Sequence, residues 1–154
     1  YIERPFAFSD LLKYHNFIIT ASVLFRKPKG FAIPNWFISL PYGDMGLYKL
    51  LSNSNNFYGL KDDTSVYRIH NEGVYSGIDK LLSRKTYYGF YKQIYPHLNV
   101  KERVVSKVQM RQFRKEIAQL KFPNNYLYRM LYYFYLELYR YSSNYKRITA
   151  VSFV

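Results

Sequence analysis

Helix-start signals and helical spacing fill the sequence after Ser76, and they constrain the fold more than any other feature of the chain. Ser76-Gly77-Ile78-Asp79 has the form of a capping box, with Asp where Glu or Gln is usual. Asn99-Val100-Lys101-Glu102 offers a second start: an amide oxygen for the first free N–H groups and a glutamate to reach back. Behind it Val104, Val108, Phe113, Ile117 and Leu120 are expected to form an inward stripe. Pro123-Asn124-Asn125 breaks the chain again. A third helix is expected from Tyr126 to about Lys146, with aromatic and aliphatic groups nearly all round it: Tyr128, Leu131, Tyr132, Tyr133, Phe134, Tyr135, Leu136, Leu138, Tyr139. No internal repeat is present.

The first half reads differently. Residues 5–15 predict a short helix, with Ser9 or Asp10 near its start and Leu11 and Leu12 as apolar positions. Phe17 to Phe25 is β-branched and aromatic, and predicts a buried strand. Lys27-Pro28-Lys29-Gly30 turns the chain. An apolar, proline-broken loop over residues 30–43 holds the sole tryptophan, Trp36. A helix is expected from about Asp44 to Leu51, with Leu47, Leu50 and Leu51 inward. After a polar break at residues 52–56, Thr64 to Ile69 alternates as a strand does. The fold class expected is therefore α/β, with a few strands and helices over residues 1–76 and an all-helical tail over residues 77–154.

Charge divides the chain at nearly the same place. Residues 1–79 carry 8 Lys/Arg against 7 acids, a net charge of +1. Residues 80–154 carry 15 Lys/Arg against Glu102, Glu116 and Glu137, a net charge of +12. Such a field attracts anionic surfaces: lipid headgroups, nucleic acid or an acidic polymer. Tyrosine is abundant, at 19 of 154 residues. The absence of cysteine excludes disulfides, zinc–thiolate sites and cysteine nucleophiles. There is no apolar run of 18 residues, and no signal peptide is expected from Tyr1-Ile2-Glu3-Arg4-Pro5, which lacks a basic start followed by an apolar core.

Few residues are candidates for chemistry. Asp44 follows Pro41-Tyr42-Gly43 at a helix start. There it can act as a cap, favoured by the helix dipole, or as a general base in reach of a substrate proton; the two roles are compatible. Gly43 and Gly46 leave room for close approach. His70 ends the second strand, where it is an ordinary strand-end histidine or a metal ligand. Arg68 alternates with it onto the same side and is a phosphate partner or a solvated residue. Asp62 and Asp63 suit a turn better than catalysis.

Residues 19–76 together resemble the C-terminal half of the catalytic domain of family 2 glycosyltransferases, of the GT-A fold. The resemblance rests on Ile19-Thr20-Ala21-Ser22-Val23-Leu24-Phe25-Arg26-Lys27, Trp36, Leu40-Pro41-Tyr42-Gly43-Asp44, Tyr67-Arg68-Ile69-His70 and Gly73-Val74-Tyr75-Ser76. It covers a little over a third of the chain. It implies an inverting, sugar-nucleotide-dependent transferase of bacterial surface-polysaccharide synthesis, acting on a glycan or lipid-linked acceptor. It implies Asp44 as catalytic base, His70 at a Mg²⁺ or Mn²⁺ ion, Arg68 at the donor diphosphate, and Trp36 and Tyr42 at the acceptor. It also implies a cytoplasmic enzyme, peripheral on the inner face of the membrane. The Asp-x-Asp of the family's nucleotide-binding half occurs nowhere, so the expectation is a fragment, inactive by itself. The competing expectation is a basic, Tyr-rich helical module that holds anionic membrane or, with less support from motifs, nucleic acid.

Overall fold

The computed structural model describes residues 5–15, 17–52, 56–60, 65–66 and 78–150, with residues 139–150 described by backbone course only. Among the described residues six α-helices follow one another: α1 (Phe8–Tyr14), α2 (Asn35–Ile38), α3 (Gly43–Ser52), α4 (Lys80–Ile94), α5 (Val100–Lys121) and α6 (Tyr126–Ala150). Single 3₁₀ turns occur at Thr20–Ser22 and Tyr95–His97. Among the described residues there is no strand. The sole β-type pairing among them is an isolated bridge between Phe6 and Phe57, closed by two backbone hydrogen bonds of 3.0 and 2.9 Å.

This overturns the α/β, GT-A-like architecture expected for the first half. The clearest correction is residues 17–25. Strand composition there was a sound cue, yet a strand needs a partner for its ladder of N–H and C=O groups. Among the described residues no neighbouring strand is offered, and the segment closes a 3₁₀ turn, with Ser22 N–H donating to the Ile19 carbonyl at 2.9 Å. Its apolar groups are largely exposed: Leu24 is 91% accessible, and Phe17, Ile19 and Phe25 are exposed too. The second expected strand, residues 64–69, lies outside the described residues apart from Ser65 and Val66.

Four of the helix starts have a side-chain cap. The Asp10 carboxylate accepts the Ala7 N–H at 2.9 Å and opens α1. Asp79 itself caps α4, accepting Leu82 N–H at 2.9 Å; Ser76, the residue expected to cap, lies outside the described residues. The Asn99–Glu102 capping box forms as its sequence predicts, with bonds of 3.0 and 2.9 Å in the two directions. Asn125 caps α6 by accepting Tyr128 N–H at 3.0 Å.

α5 is the central helix. α1 and α4 pack on one side of it and α6 on another, while α3 joins through α1. The main core draws Phe8, Leu11, Leu12, Met45 and Tyr48 from the first half and Phe90, Tyr91, Ile94, Met110 and Phe113 from the second, so elements on both sides of residue 76 share it. Two inward stripes differ from their expected registers. In α5, Phe113 and Ile117 are buried, whereas Val104, Val108 and Leu120 are exposed. Their places are taken by Ser106, Gln109, Arg114 and Ala118. In α3 the buried positions are Met45, Gly46, Tyr48 and Lys49, one step from the expected Leu47, Leu50 and Leu51.

Long-range polar bonds fix these registers. Tyr91 Oη donates to the Leu12 carbonyl at 2.6 Å. Gln109 Nε2 donates to the Lys13 carbonyl at 3.0 Å. Both satisfy carbonyls at the end of α1, which have no helical partner. Arg114, fully buried, pairs with Glu137 and lies 5.4 Å from the Tyr133 ring, tying α6 to α5.

α1 ends at His15, whose φ of 57° is left-handed. Its ring packs 5.2 Å from Phe113 and 6.0 Å from Tyr87. Burial pushes its pKa below the ordinary 6.5; Glu116 on α5 opposes the shift and Arg84 on α4 adds to it. A lowered folded-state pKa means that the unfolded chain binds the proton better. Stability is therefore full above 6.5 and falls as pH drops below it. The melting temperature is expected to fall between about pH 7 and pH 5.5. His15→Asn, which tolerates the left-handed backbone, is expected to flatten that fall. Equal pH profiles for the two proteins would show that His15 is not the titrating group.

Candidate functional site

The turn that leads into α3 is built around a glycine. Phe37 N–H donates to the Pro34 carbonyl at 3.0 Å, and Leu40 N–H to the Phe37 carbonyl at 3.1 Å. This folds Phe37 and Leu40 back onto α3. A Cβ at Gly46 would stand 2.7 Å from Leu40 Cδ1 and 2.9 Å from the Phe37 ring. Gly46 is thus required by the protein's own packing. The room that its small size offered to a substrate is filled by Phe37 and Leu40.

Asp44 sits in the first turn of the helix so placed, half-buried. Its Oδ1 accepts Met45 N–H at 2.8 Å. Its Oδ2 accepts the Thr20 hydroxyl at 3.2 Å, across 24 residues of sequence. The 3₁₀ turn carrying Thr20 is what brings that hydroxyl to α3. One turn further along α3, Tyr48 lies wholly buried beneath. Burial raises the pKa of its hydroxyl; Thr20 opposes this and the Asp44 charge adds to it. Asp44 and Thr20 are hydrogen-bonded at the head of α3, with the buried Tyr48 side chain beneath them.

The other expected site residues are placed differently. Tyr42 packs on α4, its ring 4.8 Å from Tyr87 and 5.6 Å from Phe90. Trp36 stacks on His97 at 4.5 Å and 16°, against the link between α4 and α5. Both are half-buried and hold the turn to the helical bundle. Arg68 and His70, expected at the diphosphate and the metal ion, lie outside the described residues. Thr20 and His97 are the partners that sequence did not reveal. Thr20 was absorbed into an apparent strand, and no local pattern links His97 to Trp36.

Mg²⁺ and Mn²⁺ take sets of oxygen ligands rich in carboxylate. Around Asp44 the structure supplies a hydroxyl, a phenol and a backbone N–H. Among the described residues no group of three or more His, Asp or Glu is placed to hold a metal ion. The residue that the resemblance implies at that ion, His70, lies outside the described residues. Among them, too, no helix is long and apolar enough to cross a membrane. No protein-family model matches the chain, and neither does any curated protein or solved structure.

Proposed function

We propose that this chain carries the catalytic base of an inverting glycosyltransferase that uses a sugar nucleotide, and that Asp44 is that base. One observation supports the reading above the others. The one carboxylate of the Pro41–Leu47 turn stands at a helix head, half-exposed, and is oriented by the Thr20 hydroxyl and the Met45 N–H. In the reaction Asp44 takes the proton of an acceptor hydroxyl as that oxygen bonds to the anomeric carbon. The bond from that carbon to the donor phosphate breaks, and the nucleoside diphosphate leaves with the electron pair. Thr20 keeps the carboxylate facing the acceptor. The reading retains the chemistry of the resemblance without its fold.

The test is sugar transfer from a panel of sugar nucleotides by the protein expressed from its complete reading frame. Asp44→Asn keeps the shape and cannot accept the proton. It is expected to lower kcat by about 10²-fold or more with donor binding little changed. Transfer by Asp44→Asn at the wild-type rate would leave Asp44 as a helix-start residue only.

A second reading is favoured by the outward side of α5. Lys101, Lys107, Arg111 and Lys115 lie exposed there, together with Val104 and Val108. Four cations on one side suit an anionic membrane surface, each contributing about 1 kcal/mol near it. Sedimentation with vesicles containing phosphatidylserine, lost in high salt and absent with neutral vesicles, is the expected result. Equal recovery in the supernatant throughout would remove this reading.

A further inference from the structure

Among the described residues, the face of α6 turned away from α5 is apolar and yet exposed. Arg129, Tyr132, Tyr133, Leu136 and Glu137 face the bundle and are half-buried. On the opposite face Leu127, Leu131, Phe134 and Leu138 are between 54% and 70% accessible. Their spacing of four, three and four residues is that of a coiled-coil seam. The helix continues to Ala150, and the alternation of three and four runs on in the sequence through Tyr141, Tyr145 and Ile148. Seven consecutive seam positions are apolar or aromatic, along roughly 32 Å of helix at 1.5 Å per residue. An apolar repeat of 3.5 residues held over three heptads keeps one stripe against one partner helix.

Charge decides what that partner is. The chain carries a net charge of +13, so two copies repel each other wherever their cations meet. In α6 the cations are Arg129, Arg140, Lys146 and Arg147. In the heptad register set by the seam, all four fall on the three positions furthest from it. The two flanking positions hold Tyr128, Met130, Tyr135, Glu137, Ser142, Asn144 and Thr149, with no Lys or Arg. The seam is therefore a strip of a polycation where a second copy can approach without like-charge repulsion. It is also a poor fit for an anionic surface, which would draw cations to its margins. We propose that α6 is a self-association surface: two copies of this chain pair through the seam Leu127–Leu131–Phe134–Leu138 and its continuation, as a two-helix coiled coil.

Analytical ultracentrifugation of the full chain, at protein concentrations up to about 100 µM, tests this. The wild-type protein is expected to be a dimer. Salt should leave the dimer intact or tighten it, because screening weakens the remaining repulsion. Leu131→Lys/Leu138→Lys is expected to raise the dissociation constant at least tenfold while leaving helical circular dichroism unchanged, since both residues are exposed. Val104→Lys/Val108→Lys adds the same charge on the exposed side of α5 and should leave the dimer as it is. A monomer at every concentration and salt would overturn the proposal. So would a dimer that survives the α6 substitutions, or one that the α5 substitutions dissolve equally. A monomer that binds anionic vesicles through the α6 seam would also overturn it, in favour of a lipid partner.

Discussion

Lys49→Met is expected to destabilise the protein by about 3–5 kcal/mol, a large share of the ~5–15 kcal/mol that a domain of this kind holds. Lys49 Nζ and Glu102 Oε2 are 2.8 Å apart, with side chains 6% exposed each. The same Oε2 accepts Asn99 N–H at 2.9 Å. One carboxylate thus joins α3 to the start of α5. Removing the lysine leaves a buried charge with a single N–H, the condition that makes breaking such pairs costly. The double variant Lys49→Met/Glu102→Gln separates the charge from the cap. A glutamine oxygen can still accept the Asn99 N–H. Its amide can meet water in the open depression lined by Ser52, Pro96, His97 and Leu98. Half or more of the loss is expected to return in the double variant. Urea titrations of the three proteins measure both steps. A cost for Lys49→Met below about 1 kcal/mol would place the pair in the range of solvated surface bridges.

That pair also shows what the sequence conveys and what it does not. Glu102 is legible as the far member of a capping box, because the box is written within four residues. Its partner Lys49 lies 53 residues away, and no local pattern joins them. The same division runs through the fold. The starts of α3, α5 and α6 and the stop of α5 could be read from Gly43-Asp44, Asn99–Glu102 and Pro123–Asn125. The inward face of α5 could not, because it depends on bonds made elsewhere. Gln109 turns inward to reach the Lys13 carbonyl and Arg114 to reach Glu137. These two rotate Val104 and Val108 outward, where an apolar count would not place them.

The expected strand at residues 17–25 failed for a related reason. Composition reports which backbone a segment prefers and says nothing of whether a neighbour exists to complete the ladder. At the candidate site, the position of Asp44 at a helix head was legible, whereas Thr20, its hydroxyl donor, was not. The resemblance implies Trp36 and Tyr42 at the acceptor; the contacts their rings make with His97 and Tyr87, which hold the loop in place, have no local signature in the sequence.

The second large effect expected is Phe113→Ala, at about 3–5 kcal/mol. Phe113 is 2% exposed. Its ring stacks on Tyr87 at 5.3 Å and 2°, and stands 5.7 Å from Tyr91 and 5.2 Å from His15. It is therefore where α1, α4 and α5 meet, and truncation opens a cavity that three helices would have to close together. Phe113→Leu should cost much less, because it keeps most of the volume. The alanine variant should also change how stability depends on pH. With the ring gone, the His15 imidazole loses part of the burial that lowers its pKa. Wild-type stability falls as pH drops below 6.5, whereas the variant has less of that dependence to lose. The cost of Phe113→Ala is thus expected to be larger at about pH 8 than at about pH 6. Denaturant titrations at both pH values measure it. Equal costs would uncouple His15 from the aromatic stack, and a cost below about 1 kcal/mol would mean that α1 and α4 repack across α5 without it.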